Sequence, residues 1–541
     1  MTRTVAEAVG RTLVGLGVEQ VFGVVGSGNF HLSNAMVAAG ARFVAARHEA
    51  GATTMADAYA RMSGTVSAVT VHQGCGLTNT MTGMAEAAKS RTPMVVLAAD
   101  VTEPRSNFFV DQDALATAVG ALPMRVDDPV DAVRIASEAY RTAHDERRTV
   151  LLNLPLQVQP LECSTDAEPV VVPGGTRVSV ENLDALADAL AAARRPVFVA
   201  GRGARGAREE LRRLAEQAGA LLGTSAVAKG LFHDEPWSLD VCGGFSSPLA
   251  VELVQGADLV VGWGCALNMW TMRQGTLIGG ETIVAQVDLE VEALGRHRQV
   301  DVAVVGDVAD VGSRLVGTTP RRDGYRSEQL RARIASEVRW RDVPFDDGST
   351  GDRIDPRTLT IGLDDLLPAE RVVGVDSGNF MGYPSMFLSV PDELGFCFTQ
   401  AYQSVGLGLA TAIGAALAQP SRLAVAALGD GGALMGSSEL ETVVRLGLPM
   451  VVVVYDDEAY GAEVHHFGPH GDDLSLVRFP PTDLAAVGRG HGFDAVTVRR
   501  AADLDGVAAW VAGDRSRPLL VHAKVTGGEP AWWLEEAFRG H

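Results

Sequence analysis

The sequence predicts an α/β protein of three domains, each built on a parallel β-sheet. Short apolar runs of strand length alternate with longer amphipathic segments along the chain, which is the pattern of parallel strands joined by helices. The length of 541 residues suffices for three domains of ordinary size. Two stretches rich in polar residues, proline or glycine divide the chain into three blocks.

The three blocks are predicted at residues 1–165, 183–320 and 355–530. The stretch near 160–180, rich in proline, glycine and valine, is predicted to be a linker, and an arginine-rich polar stretch precedes the third block. The apolar runs that we interpret as strands are Phe43–Ala46, Val66–Val71, Met94–Ala99, Val150–Leu154, Val197–Ala200, Leu259–Trp263, Thr282–Val287, Val372–Val375, Leu423–Leu428, Met450–Tyr455 and Leu519–Val525.

The composition excludes several classes of partner. The net charge is −21 and the chain has no basic run, which argues against nucleic acid and against an anionic membrane surface. No apolar stretch reaches the ~18 residues of a membrane-spanning helix. The first residues lack the apolar core and cleavage site of a signal peptide. The five cysteines are scattered and predict neither a disulfide framework nor a zinc ribbon. We therefore expect a cytoplasmic protein.

The most informative motif lies where two apolar runs end. Gly429-Asp430-Gly431 closes the run Leu423–Leu428, and Asp456-Asp457 closes the run Met450–Tyr455. In parallel α/β sheets, ligands bind outside the carboxyl ends of the strands, where glycines let the backbone approach a phosphate. Two carboxylates at neighbouring strand ends are hard oxygen ligands of the kind that Mg²⁺ takes together with phosphate oxygens. The spacing alone therefore predicts a magnesium–diphosphate site.

The segment LGDGGALMGSSELETVVRLGLPMVVVVYDD resembles the signature of the thiamine diphosphate (ThDP) enzymes of the acetolactate synthase, pyruvate oxidase and benzoylformate decarboxylase group. That signature is Gly-Asp-Gly followed, at the end of the next strand, by Asn-Asn. Here the first half is intact and Asp456-Asp457 replaces Asn-Asn. The resemblance covers nearly the whole chain and implies pyrimidine-binding, central and diphosphate-binding domains, in that order.

The resemblance also implies which residues of the third block hold the cofactor. The Mg²⁺ ligands would be Asp430, Asp457 and, through its carbonyl oxygen, Ala459. A helix expected to begin near Ser437 would face the phosphates. The further cofactor contacts would come from Gly378, Asn379, Gly429, Gly431, Gly432, Tyr460 and Gly461.

The replacement of Asn-Asn by Asp456-Asp457 changes the charge of this site. Asp457 adds a full negative charge beside the diphosphate, and like charges about 4 Å apart cost several kcal/mol at low effective dielectric unless a cation separates them. We expect either that the site depends strongly on its metal or that an additional partner holds Asp457.

The cofactor also needs an acid that polarises its aminopyrimidine ring, and a carboxyl group with a raised pKa in a dry pocket suits this task. The segment FVAARHEAGATTMADAYAR resembles the family's His-Glu-x-x-Ala segment and places Glu49 there, at the head of a predicted helix. The alternative is that Glu49 caps this helix. VFGVVGSGN resembles the first loop of the family, with Ser27 at its turn.

Two further positions are expected near the reacting carbon. In VTVHQGCGLTN, His72 stands where benzoylformate decarboxylase-like members carry a catalytic histidine, and Cys75 replaces the family's proline. In FFVDQD, Gln112 stands where acetolactate synthase-like members carry a glutamine. Histidine is the natural proton shuttle near neutral pH. His72 is equally compatible with a structural role, and Gln112 with a surface amide.

Folding of the cofactor into a V shape requires an apolar prop. The segment YQSVGLGLATAIGAA resembles the family's propping loop and places Val405 at the prop, where the family usually has a larger residue. Either the cofactor is held more loosely or Met435 fills the gap. The alternative is that Val405 and Met435 are ordinary core residues.

The central block contains Gly201, Gly203 and Gly206 in the spacing of the dinucleotide fingerprint, directly after a predicted strand. The acidic residue expected about 20 positions later is missing from LLGTSAVAKG, which argues against NAD. In the resembling family the central domain binds FAD in some members. WGCALNMWTMRQG shows no convincing flavin-loop motif, so FAD stays an open possibility.

The resemblance implies a ThDP- and Mg²⁺-dependent enzyme that decarboxylates a small-molecule 2-keto acid. Gln112 favours subsequent carboligation, as in acetolactate synthase, whereas His72 favours release of an aldehyde. The alternatives are an FAD-dependent oxidase of the pyruvate oxidase type and a non-catalytic protein on the same fold. Because family members build each site between subunits, we expect a homodimer or homotetramer, with Glu49 and Asp430 of one site on different chains.

Overall fold

The computed structural model describes residues 3–163, 182–528 and 532–535. Most of the linker predicted near 160–180 lies outside these residues. Three six-stranded sheets are present, and every strand pair within them is parallel. Helices flank each sheet. This arrangement confirms the predicted α/β class with three parallel sheets.

The first sheet is formed within residues 3–163. The strands of this region are β1 (Arg3–Thr4), β2 (Gln20–Gly23), β3 (Arg42–Ala45), β4 (Ser67–Val71), β5 (Met94–Asp100), β6 (Leu122–Arg125), β7 (Thr149–Pro155) and β8 (Glu162–Cys163). The helices are α1 (Val5–Leu16), α2 (Phe30–Ala38), α3 (Glu49–Ser63), α4 (Cys75–Thr78), α5 (Met81–Lys89), α6 (Gln112–Ala118) and α7 (Ala132–Asp145). The strand order is β3-β2-β4-β5-β7-β6, and β1 pairs with β8 in a separate antiparallel ribbon.

The second sheet has the strand order β11-β10-β9-β12-β13-β14. These strands are β9 (Pro196–Ala200), β10 (Leu221–Thr224), β11 (Ser238–Val241), β12 (Leu259–Trp263), β13 (Ile283–Asp288) and β14 (Val302–Val305). The helices of this region are α8 (Leu183–Ala192), α9 (Arg208–Ala218), α10 (Pro248–Gln255), α11 (Val308–Val316) and α12 (Glu328–Glu337).

The third sheet has the strand order β16-β15-β17-β18-β20-β19. These strands are β15 (Arg371–Val375), β16 (Phe396–Phe398), β17 (Leu423–Gly429), β18 (Met450–Asp456), β19 (Asp494–Val498) and β20 (Leu519–Lys524). The helices are α13 (Pro356–Leu366), α14 (Gly382–Phe387), α15 (Gly408–Ala418), α16 (Asp430–Met435), α17 (Glu439–Arg445), α18 (Gly461–Phe467), α19 (Leu484–His491), α20 (Asp505–Ala512) and α21 (Trp532–Glu535).

The apolar runs form strands because helices cover both faces of each sheet. Every residue of β5 and of β18 is buried, as a continuous apolar run predicts for a parallel strand. The predicted runs agree with the observed strands to within about one residue at each end.

The first and third sheets share one apolar core, which passes through the contact between α3 and α15. Met55 of α3 and Ile413 of α15 are both fully buried in it. The helices approach so closely that a Cβ atom at Gly414 would clash with the carbonyl oxygen of Met55. Helix α3 begins at Glu49, so this packing fixes where the predicted acid lies.

No helix in the described ranges combines the length and apolar character needed to span a bilayer.

Candidate active site

The predicted diphosphate-side residues converge at one edge of the third sheet. Strands β15, β17 and β18 are neighbours, and their carboxyl ends lead directly into Gly378, Asp430 and Asp457. A helix begins close to Ser437, as expected: α17 begins at Glu439, with Ser438 as its N-cap. A further short helix, α16, begins at Asp430 itself, immediately after the strand.

Two carboxyl groups at this edge repel each other. Burial, together with the charge of Asp430, raises the pKa of Asp457 to about 7. Burial also raises the pKa of Asp430 to about 7, although the backbone N–H of Gly431 donates to its Oδ1 at 2.8 Å. Oδ1 of Asp457 is buried, and no group in the described ranges donates to it. A cation between the two carboxylates would relieve this repulsion.

Asn379 and Gly461 form a cradle beside Asp457. A Cβ atom at Gly461 would lie 2.7 Å from both Asn379 Nδ2 and Asp457 Oδ2, so only glycine fits this position. Asn379 is 7% exposed, and its Oδ1 is a second buried acceptor without a partner among the described residues. Gly378, which precedes it, adopts a φ of 103° that favours glycine.

The remaining predicted contacts lie around this cradle. Tyr460 is 39% exposed, packs edge-on against Phe479 and borders a cavity of about 160 Å³ together with Asp430 and Gly431. Gly429 ends β17, and Gly432 is buried in the first turn of α16. In the described ranges, no third His, Cys, Asp or Glu side chain joins the two aspartates as a metal-binding group. A third protein ligand would therefore come from an uncharged oxygen, such as the carbonyl of Ala459. Carboxylate and carbonyl oxygens fit Mg²⁺.

Asp456, the first residue of the Asp-Asp pair, carries the partners that the sequence analysis expected for Asp457. His522 Nε2 lies 2.5 Å and Lys524 Nζ 2.6 Å from Asp456 Oδ2. Burial alone would raise the pKa of Asp456, but these two hydrogen bonds and charges lower it to about 2. The signal in the sequence was the polar alternation His522-Ala-Lys524 inside an otherwise apolar strand.

The loop that carries Val405 is held at both ends by buried carboxylates. Asp376 accepts hydrogen bonds from the backbone N–H groups of Gly406, Leu407 and Gly408. Glu86 of α5 accepts from the N–H groups of Ala401 and Tyr402, so the first domain also positions this loop. Neither carboxylate was expected from the sequence.

Val405 and Met435 are not ordinary core residues. They are 40% and 57% exposed, on the same side of the third domain. Met435 lies directly against this loop, because a Cβ atom at Gly406 would be only 2.9 Å from its Cβ. Both side chains are therefore available to contact a ligand.

Glu49 does not cap its helix. His48 is the N-cap of α3, and its Nδ1 accepts a hydrogen bond from Ala50 N at 3.1 Å. The side chain of Glu49 instead accepts a hydrogen bond from Asn79 Nδ2 at 3.0 Å. Glu49 is only partly buried, so the dry pocket expected around it is not complete within one chain.

Ser27 and His72 lie on the same face of the first domain as Glu49. Ser27 Oγ is 3.4 Å from His72 Nε2, and His72 Nδ1 is 3.1 Å from the carbonyl oxygen of Gln73. A Cβ atom at Gly76 would lie 3.1 Å from His72 Cβ and 3.5 Å from Glu49 Oε1, so this glycine separates the two side chains. The structure thus brings together three of the residues singled out in the first block.

Gln112 is not a surface amide. It is 2% exposed, and its Oε1 accepts a hydrogen bond from Gly74 N at 3.0 Å. Its Nε2 donates to Ala99 O at 3.1 Å and to Asn153 Oδ1 at 2.7 Å. The amide is therefore engaged inside the domain and holds the loop between His72 and Cys75.

The glycines of the central block serve packing between loops. A Cβ atom at Gly201 would clash with the carbonyl oxygen of Gly264, and one at Gly203 would lie 2.9 Å from Gly264 Cα. A single 3₁₀ turn, Arg202–Ala204, follows β9 in place of the long helix of a dinucleotide site. Close approach of two loops accounts for this fingerprint spacing.

Comparisons with known proteins agree with this geometry. Three family models match, described as the N-terminal thiamine pyrophosphate (TPP) binding domain, the central domain and the C-terminal TPP binding domain of thiamine pyrophosphate enzymes. They match residues 3–121, 183–315 and 376–523, respectively. Their descriptions name thiamine pyrophosphate and no flavin.

The chain is similar to several known proteins. A probable 2-ketoarginine decarboxylase of Pseudomonas aeruginosa is 31% identical over 528 residues, which cover 93% of this chain and 90% of that protein. A sulfoacetaldehyde acetyltransferase of Castellaniella defragrans is 28% identical over 553 residues, with 93% and 89% covered. The acetolactate synthase large subunit of Parasynechococcus marenigrum is 28% identical over 510 residues, with 89% and 81% covered.

Proposed function

The chain belongs to the thiamine pyrophosphate enzyme family, and from this premise we propose that it is a ThDP- and Mg²⁺-dependent enzyme that decarboxylates a 2-keto acid. The product is then released as an aldehyde or joined to a second carbonyl compound. The observation that carries this proposal is the placement of two buried carboxyl groups, Asp430 and Asp457, at neighbouring strand ends, where the charge of Asp430 helps to raise the pKa of Asp457. This pair has the ligand chemistry that a magnesium–diphosphate group requires.

Asp430 and Asp457 would hold the metal, together with the carbonyl oxygen of Ala459. The orphaned Oδ1 atoms of Asp457 and Asn379 support this assignment, because buried acceptors without donors are costly unless a ligand satisfies them. The cofactor would further contact Gly378, Gly429, Gly431, Gly432, Tyr460 and Gly461, which surround the same cradle. Val405, with Met435 beside it, would support the rings from below.

When bound, ThDP supplies a carbon nucleophile for the keto carbon and an electron sink for the pair left by departing CO₂. Glu49 would hold the proton that its carboxyl group shares with the pyrimidine ring. The hydrogen bond from Asn79 to Oε2 supports this role, since it orients the carboxyl group without neutralising it. The protein's contribution is thus orientation and proton handling.

His72 would move the proton needed later in the reaction. Its Nδ1 faces the carbonyl oxygen of Gln73 at 3.1 Å, so the neutral ring carries its proton on Nδ1 and keeps Nε2 as the basic atom. Ser27 Oγ, 3.4 Å from Nε2, would orient that atom and pass a proton to it. Gln112 would act indirectly, by holding the loop next to His72 through Gly74.

We further propose that two chains build each site, in a homodimer or homotetramer. Apolar side chains are exposed around both half-sites. In the first domain these are Phe30, Phe108 and Phe109, and in the third Val405, Leu434 and Met435, each at least 40% exposed. A partner subunit that covers Glu49 would complete the dry pocket that a single chain leaves open.

The test is CO₂ release from a panel of 2-keto acids by the full chain with ThDP and Mg²⁺. Pyruvate, benzoylformate and 2-ketoarginine form the panel, the last chosen because the name of one relative contains it. Product analysis with and without an added aldehyde or keto acid distinguishes carboligation from aldehyde release. We expect His72→Ala to slow aldehyde release about 100-fold. Visible flavin absorption of the purified protein would instead favour the FAD-dependent oxidase, and no CO₂ from any acid would favour a non-catalytic protein.

A further inference from the structure

We propose that Lys524 is a positioning residue of the metal site. It pairs with Asp456 and fixes the turn that follows, so that Asp457 is the residue of the Asp-Asp pair that faces the metal beside Asp430. This inference rests on the proposed function, because it concerns the Mg²⁺ site assigned above. It explains how the chain tolerates Asp456-Asp457 where the resembling family has Asn-Asn.

The first argument concerns charge. Asp456, Asp457 and Glu458 are three consecutive acidic residues. The outer two are paired: Lys524 Nζ lies 2.6 Å from Asp456 Oδ2 and 2.9 Å from Glu458 Oε1. Arg353 Nη2 lies 2.8 Å from Glu458 Oε2, which completes the compensation of that side chain. For Asp457, by contrast, the structure shows a buried Oδ1 without a donor in the described ranges.

The second argument concerns the backbone. Glu458 adopts a φ of 60°, a left-handed conformation that is uncommon for residues other than glycine. Its own N–H donates to Asp456 Oδ1 at 3.0 Å, and its carbonyl oxygen accepts from Phe479 N at 2.8 Å. Lys524 ties the side chains on either side of Asp457 to one another, and this bridge holds the strained turn. This backbone turn places Asp457 Oδ2 against Gly461 and Asn379.

The third argument concerns burial. Lys524 lies directly opposite Asp456 in the register of β18 and β20, and the two residues are 5% and 2% exposed. A buried ion pair contributes little by itself, but removal of one partner leaves an uncompensated buried charge. Without Lys524, the carboxylate of Asp456 would keep His522 and the N–H of Glu458 but would lose its lysine, and relief of this uncompensated buried charge would disturb the turn that places Asp457.

The experiment measures the Mg²⁺ affinity of the full chain by calorimetric titration in the presence of saturating ThDP. We expect Lys524→Met to weaken Mg²⁺ binding about 10- to 100-fold, the range found for residues that orient metal ligands. Asp456→Asn combined with Lys524→Met removes both charges, and we expect it to restore the affinity to within about threefold of wild type. The readout does not depend on turnover.

The matched control is Lys229→Met. Lys229 is also a buried lysine, 3% exposed, but it belongs to the central domain, and its Nζ donates to Ser385 O of α14 at 2.7 Å. This variant should lose stability and keep its Mg²⁺ affinity. An equal loss of Mg²⁺ affinity in Lys229→Met and Lys524→Met would overturn the inference, because general destabilisation would then explain both.

Wild-type affinity in Lys524→Met, or a double variant as weak as the single one, would also overturn it. If Lys524→Met does not fold, the double variant decides alone: restored Mg²⁺ affinity supports the inference and lost affinity refutes it. A wild-type chain that binds ThDP without any Mg²⁺ dependence would refute the proposed function itself. Failure of the further inference alone would look different. The wild type would then need Mg²⁺ to bind ThDP, and Lys524→Met would bind Mg²⁺ with the same affinity as the wild type.

Discussion

Gln112 holds Gly74 in place: its side-chain Oε1 accepts the backbone N–H of Gly74 at 3.0 Å, inside a domain where the glutamine is only 2% exposed. Gly74 adopts a φ of 60°, and the loop around it carries His72 on one side and helix α4 on the other. Gln112, which the sequence analysis expected beside the reacting carbon, therefore contacts the loop next to His72.

Gln112→Ala should lower the free energy of unfolding by about 1–3 kcal/mol, because Gly74 N, Ala99 O and Asn153 Oδ1 would lose a buried hydrogen-bond partner. Urea denaturation measures this loss. The control is Gln157→Ala, since Gln157 is exposed and bonds only to Thr102 at the surface. Equal urea midpoints for Gln112→Ala and wild type would contradict the assigned role.

Asp376 should make the metal-free protein less stable as the pH rises from about 4 to about 6. Burial raises the pKa of this carboxyl group to about 6, although four backbone N–H groups oppose the shift. The folded state therefore binds more protons than the unfolded state in this window, so stability falls as the pH rises. Two pKa units correspond to about 3 kcal/mol.

Asp376→Asn lacks this titration. The free energy of unfolding of wild type minus that of the variant, measured by urea denaturation with a chelator present, should fall by about 3 kcal/mol between pH ~4 and pH ~6. A difference that stays constant or rises with pH would show that this carboxylate is not held as the structure indicates.

Asp457→Asn should make cofactor binding less dependent on the metal. The charge of Asp457 lies beside that of Asp430, so without Mg²⁺ both repel the diphosphate. The ratio of the ThDP dissociation constants without and with Mg²⁺ should fall at least about tenfold in the variant. Asp472→Asn, at an exposed aspartate of the same segment, should leave the ratio unchanged. An unchanged ratio in Asp457→Asn would mean that its charge is irrelevant.

Met435→Asp should dissociate the assembly and weaken ThDP binding, because a charge at this 57% exposed side chain would face the partner subunit. Sedimentation velocity and fluorescence titration with ThDP measure the two effects. Val291→Asp changes an equally exposed side chain, 63%, in the central domain and should leave both unaltered. A wild-type protein that sediments as a monomer would refute the shared site.

The sequence predicted the strands well and the polar partners poorly. Strands such as β12 and β18 are buried on both faces, so their apolar runs show their ends directly. The sequence also predicted that Asp430 and Asp457 lie close together, because the carboxyl ends of parallel strands meet at one edge of the sheet. The sequence did not predict how much of Val405 is exposed, because the family resemblance does not specify how much of this loop a single chain covers.

Partners that are distant along the chain were missed for a physical reason. Lys524 and Asp456 are 68 residues apart, and only the register between β18 and β20 places them together. Glu86 reaches the Val405 loop across a domain boundary. A cap formed by Glu49 was the alternative interpretation, because acidic residues are favourable at a helix N-terminus. In the structure, His48 forms the cap of α3 instead.

The most direct test of the account is hydrogen–deuterium exchange at C2 of ThDP, followed by NMR with Mg²⁺ present, in wild type and in Glu49→Gln. The measurement needs no assumption about the substrate. We predict fast exchange in the wild type and a loss of at least about 100-fold in the variant, because glutamine cannot hold the shared proton. Exchange in the wild type no faster than for free ThDP would contradict the proposed catalytic function, and equal fast exchange in both proteins would contradict the role of Glu49.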